Sequence, residues 1–133
     1  MVDALMEAQR VLKRGGILID LRPIARDAPL EVVFDEKVIP VGLIDGSKGK
    51  IHDAATDRAL ATVARSFLEI GKRNYKVSVN YNSLDETMER LAESSRHAQL
   101  SSRVIGKIKK ITNQEKIHLR YYEHVRLTCY RVV

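Results

Sequence analysis

Glu7-Ala8-Gln9-Arg10-Val11-Leu12-Lys13-Arg14-Gly15-Gly16-Ile17-Leu18-Ile19-Asp20 is the stretch whose reading decides the fold. Leu5, Ala8, Val11 and Leu12 recur at helical spacing, and Asp3 stands where a helix N-cap is expected. Lys13 and Arg14 suit the negative end of the helix dipole, and Gly15 or Gly16 supplies a left-handed stop. Ile17, Leu18 and Ile19 then form an unbroken apolar run. Such a run predicts a central strand covered on both faces, as in a parallel sheet. Pro23 ends it, because proline cannot donate to a ladder.

The 133 residues around this segment suit one domain, with 44% hydrophobic and 30% charged residues. Aromatic residues are only 5% and tryptophan is absent, so the core must be mainly aliphatic. The single Cys129 excludes an internal disulfide and fits a reducing compartment. No apolar run approaches the roughly 18 residues a membrane span needs. No basic stretch followed by an apolar one opens the chain as a secretory signal would, so a cytoplasmic location is expected. The formal charge of +6 is uneven, because charges cancel before residue 101. Beyond it stand Arg103, Lys107, Lys109, Lys110, Lys116, Arg120, Arg126 and Arg131 against only Glu115 and Glu123.

Further along, Glu31 to Phe34 and Val38 to Ile44 read as short strands around the turn Asp35-Glu36-Lys37. Asp45 to Lys50 reads as a polar loop. A helix is expected from Asp53, its cap, to Ile70, with Gly71 closing it. Lys76 to Tyr81 alternates as a half-buried strand, with Val77, Val79 and Tyr81 inward. Ser83-Leu84-Asp85-Glu86 is a capping box, and its helix points Leu84, Met88 and Leu91 inward. A fourth helix spans about Ser101 to Ile111 with Val104, Ile105, Ile108 and Ile111 on one side. The chain ends in a long alternating strand in which Glu123 marks a bulge or bend.

The Glu7–Asp20 segment resembles the E-A-x-R-V-L-K-P-G-G helix, turn and strand that open the second half of class I S-adenosylmethionine-dependent methyltransferases. Arg14 stands where proline is common. The resemblance implies a Rossmann-like sheet whose later part runs fifth–seventh–sixth, with Ile17–Leu21, Leu119–Val132 and Lys76–Tyr81 in those places. The family's cofactor loop follows the first strand, and no equivalent is present in this sequence. Gly15-Gly16 ends a helix, whereas a cofactor loop must open one. The fold class expected is therefore α/β bordering α+β: a small mixed sheet with about four helices, one domain over 1–133. The resemblance implies a methyltransferase-related domain, catalytically incomplete by itself, that binds S-adenosylmethionine only if a missing N-terminal half is supplied.

By the same resemblance Asp20 and Arg22, at the carboxyl end of the strand, are substrate-cleft candidates. Their short spacing also permits a simple loop hydrogen bond or ion pair. His52, His97, His118 and His124 lack metal-ligand spacing, and Cys129 reads as a small core residue. No catalytic constellation is visible. Lys107, Lys109 and Lys110 on a helix, with Arg120, Tyr122 and Arg126 on a strand, are candidates for one basic surface, and RNA is the partner it would suit. The alternative function is thus a small homo-oligomeric binding or structural module. Without a fourth strand, Ile17–Leu21 is an exposed apolar edge, for which a homodimer, the missing half or the Glu31–Ile44 hairpin is the expected cover.

Overall fold

The computed structural model describes residues 1–94, 98–112 and 116–133. The strand around which the rest assembles is the last one, β5 (His118–Val132). One edge of β5 pairs along its whole length with β4 (Phe67–Tyr81). Its other edge is shared: β1 (Ile17–Pro23) takes residues 125–131, and β2 (Ala28–Phe34) takes residues 118–121. β3 (Lys37–Ile44) lies outside β2. Every one of these ladders is antiparallel. With α1 (Val2–Val11), α2 (Gly49–Thr62), α3 (Leu84–Glu93) and α4 (Ser102–Thr112), the molecule is a small α/β sheet with four helices, as expected.

Side chains alternate along β5, and each face receives helices at only one end. Leu119 and Tyr121 face a core made by Leu30, Val32, Val41, Leu84, Leu91, Val104 and Ile108, so α3 and α4 cover that face at the amino end of β5. Tyr130 and Val132 point the other way, to Leu5, Ala8, Leu12, Val63 and Phe67, so α1 and α2 cover the opposite face at the carboxyl end. Opposite corners of the sheet are therefore left without helices.

Several local expectations hold for the physical reasons that suggested them. Gly15 has φ +83°, its N–H donates to the Val132 carbonyl, and the chain turns there from α1 into β1. The capping box is formed: the Glu86 N–H donates to Ser83 Oγ at 3.1 Å, and Glu86 accepts from the Asn82 N–H at 2.8 Å. Asp35 and Glu36 both have positive φ, the conformation a two-residue hairpin turn requires.

Other expectations are corrected. Asp3 lies inside the first turn of α1, and Met1 is the N-cap without a side-chain bond. The second helix starts earlier and ends at Thr62, while Phe67 to Gly71 is strand. Its helical spacing is overridden by the ladder to β5, which buries Phe67 against Val132. Asp53 does not cap that helix; its carboxylate accepts the Ala25 N–H. Glu123 interrupts no pairing with β4, whose one irregularity lies between Glu69 and Gly71. The Glu31–Ile44 hairpin does not cover β1; it extends the same edge of β5 further along. β1 is consequently an edge strand, and its odd-numbered residues Ile17, Ile19 and Leu21 are exposed. The apolar run read as a doubly covered central strand is covered on one side only.

Candidate functional site

Asp20 and Arg22 point from β1 toward α2. Opposite them in register on β5 stand Thr128 and Arg126, so four polar side chains form one block. The Arg22 guanidinium donates from Nη2 to Asp57 Oδ1 at 2.6 Å and lies 3.2 Å from Asp20 Oδ2 through Nε. Arg22 and Asp20 are largely enclosed, with side chains 16% and 20% exposed. Thr128 is buried at 1% exposure. Among the described residues Asp20 Oδ2, Arg22 Nη1, Arg126 Nε and Thr128 Oγ1 find no hydrogen-bond partner, and all four belong to this block. Burial and the neighbouring Asp20 carboxylate push the Tyr130 phenol upward on the same face.

A cavity of about 290 Å³ adjoins the block, lined by Met1, Leu5, Asp20, Arg22, Thr56 and Leu60. The segment after β1 is held by two further aspartates. Asp53 accepts from Ala25 at 2.6 Å, and Asp27 accepts from Gly46 at 3.0 Å. Gly46 is required there because a Cβ would run into the Arg26 backbone. The arrangement brings Asp20 and Arg22 together and ties β1 to α2 through Asp57. That third residue lies 35 positions from Arg22, and no local pattern signals it.

Arg22→Ala is expected to lower folding stability by about 2 kcal/mol, because it leaves the enclosed Asp20 carboxylate without its cation. Asp57→Ala should cost clearly less, because Asp57 is 57% exposed and screened by water. Urea unfolding midpoints of the two variants test the order.

The basic candidates separate onto two surfaces. Lys107, Lys109 and Lys110 lie on α4, which packs on one face of the sheet. Arg120 and Arg126 lie with Tyr122 and His124 on the other face of β5. Arg120 is committed to Glu31, donating to Oε2 at 2.8 and 3.0 Å, and its guanidinium lies 5.5 Å from the centre of the Tyr122 ring. His124 has its pKa lowered, by desolvation first and then by the cations Arg26 and Lys76. Lys76 did not stand out as a candidate in the sequence. The strict polar alternation of Lys76, Ser78 and Asn80 was the available signal.

His124 makes the stability of the fold depend on pH. A lowered folded pKa means the unfolded chain takes up the proton first, so stability is full above about 6.5 and falls as pH drops below it. His124→Gln should flatten that part of the stability–pH curve, measured by urea unfolding between pH 7.5 and pH 5, on the order of the window where histidine titrates.

The remaining histidines form no cluster. His52 is exposed on α2, and His118 is exposed at the start of β5. His97 lies outside the described residues. Among the described residues no group of three histidine, cysteine or acidic side chains has metal-binding geometry, and no helix is long and apolar enough to cross a membrane. Cys129 sits between Ile19 and Gly71 on the uncovered face and is only half-buried, so it is not a core residue.

That uncovered face is the largest feature sequence reasoning located only in part. Ile17, Ile19 and Leu21 of β1, Val125 and Leu127 of β5, and Leu68, Tyr75 and Val77 of β4 share it. Ile19 and Leu21 are 60% and 62% exposed, and Val77, expected to point inward, is 47% exposed. Compared with known proteins, the chain matches no family model, no curated protein and no solved structure.

Proposed function

We propose that the chain is the later half of a methyltransferase-like α/β domain and becomes competent for S-adenosylmethionine only with a complementary cofactor half. The observation that carries this reading is the order of three strands: β5 lies between β1, the strand that closes the Glu7–Asp20 segment, and β4, antiparallel to both. This is the fifth–seventh–sixth order implied by the resemblance.

The bare apolar face supports it further. A sheet of this kind needs helices on both faces, and here α1 and α2 supply one of the two layers over β1. Contiguous apolar patches beyond a few hundred Å² are uncommon on monomers. The missing layer and the unpaired edge of β1 lie where the first half of such a domain would join. In the isolated chain a second copy takes that place, giving a homodimer.

The test is calorimetric titration with S-adenosylmethionine on the chain alone and on a fusion carrying a Rossmann-type cofactor half before Met1. No heat is expected from the chain alone, and saturable binding is expected from the fusion. Tight binding by the chain alone overturns the reading, as does a folded fusion that binds no cofactor.

A further inference from the structure

The corner of the sheet opposite α3 and α4 is polar and strongly one-signed. On β4 it presents Lys72, Asn74, Lys76, Ser78 and Asn80, all exposed. Facing them in register on β5 are Thr128, Arg126, His124, Tyr122 and Arg120, and His118 extends the second row. Neither row contains an acidic residue. The nearest acids are already used: Glu31 holds Arg120, Glu69 lies 3.5 Å from Lys72, and Asp20 and Asp57 are paired with Arg22. Lys76 and Arg126 have no acidic partner among the described residues; Lys76 stands directly opposite His124 in register, and Arg126 lies two residues further along β5 on the same face. Arg26 lines the same cavity as Tyr122 and His124 and adds to the same field.

We propose that this face of the β4–β5 ribbon binds single-stranded nucleic acid, with Lys76 and Arg126 on phosphates and Tyr122 as a stacking ring. The rows run for about 27 Å, eight residue steps of a strand, which suits a segment of several nucleotides. Asn74, Ser78 and Asn80 add neutral donors and acceptors beside the cations. The rows hold no aliphatic side chain to insert into lipid, which argues against a membrane surface. Among the described residues α1 and α2 pack at the other end of this face and no helix stands over this corner to enter a duplex groove, which argues for a single strand. This surface is separate from the apolar face and does not depend on the methyltransferase reading.

Fluorescence anisotropy with labelled oligo(U) and oligo(dT) tests it on the intact chain. Both probes are expected to bind at low salt, with log affinity against log salt falling at a slope of about −1.4 for the two phosphate contacts of Lys76 and Arg126. Lys76→Glu, on an exposed edge position, is expected to weaken binding by about tenfold or more, two cations' worth of phosphate attraction. Tyr122→Ala should weaken it by about fivefold or more through lost stacking. The double variant Lys107→Glu/Lys110→Glu on α4 should bind as wild type does. A preference for oligo(U) assigns RNA, and equal binding assigns any single strand; both support the proposal. It is overturned if neither probe binds at low salt or if folded Lys76→Glu binds normally. It is also overturned if the α4 variant carries the loss, or if duplex DNA or anionic vesicles bind more tightly than either probe.

Discussion

Ile108→Ala is expected to remove about 3 kcal/mol of folding stability, within the usual range for truncating a buried aliphatic side chain. Ile108 is fully buried, on the face of α4 that meets Leu30, Val32 and Leu119. That cluster is the meeting point of β2, β5, α3 and α4, so a cavity there has no neighbour free to collapse into it. Domains have only about 5–15 kcal/mol in total, and the loss is a large share of it. Ile111→Ala, on the same helix at a partly buried position, should cost roughly half as much. Thermal unfolding of both variants measures the difference. Equal and small losses would show that α4 does not pack as described.

The second large effect concerns association. The double substitution Ile19→Lys/Leu21→Lys is expected to abolish self-association while leaving the stability of the single chain within about 1 kcal/mol. Both side chains are mostly in water and enter neither core cluster, so the folded chain loses little when they become polar. Edge strands and apolar faces are protected in natural proteins by charge, and two lysines supply it here. Sedimentation velocity over a range of concentrations reads the change. Wild type should shift from monomer to dimer as concentration rises, and the variant should remain monomeric throughout. Binding of a hydrophobic dye should fall in parallel. A wild-type chain that stays monomeric and binds no dye would remove the argument that this face needs a partner.

The two effects mark the two sides of the molecule. One corner of the sheet carries a dense core and tolerates little change, whereas the other presents the same kind of side chains to solvent. Asp20 and Arg22 sit on the helix-covered side of β1, held by Asp57, and their geometry is that of a clamp between strand and helix. A substrate role for them belongs to the proposed complete domain, in which α2 and the start of α1 wall the adjoining cavity.

Much of the fold was legible because it rests on short-range chemistry. The Gly15 turn, the Ser83–Glu86 capping box and the apolar stripe of α4 each depend on residues within about two turns of one another. The boundary between α2 and β4 was not legible. Residues 55–70 carry helical spacing, yet Phe67 onward is drawn into a ladder with a strand more than 50 residues away. The basic residues were legible as a list and not as a surface, because whether a lysine on α4 and an arginine on β5 share a side depends on which sheet face the helix covers.

By itself the sequence determined the element types, most of their ends and the excess of positive charge in its last quarter. Periodicity, caps and turn residues act locally, and those features need nothing more. Only the tertiary structure decided that β5 would serve both sheet edges, and that α1–α2 and α3–α4 would cover opposite faces at opposite ends. The reason is that strand pairing and helix docking are chosen by burial summed over the whole chain. A run such as Ile17-Leu18-Ile19 reads the same whether its second face meets a helix or water.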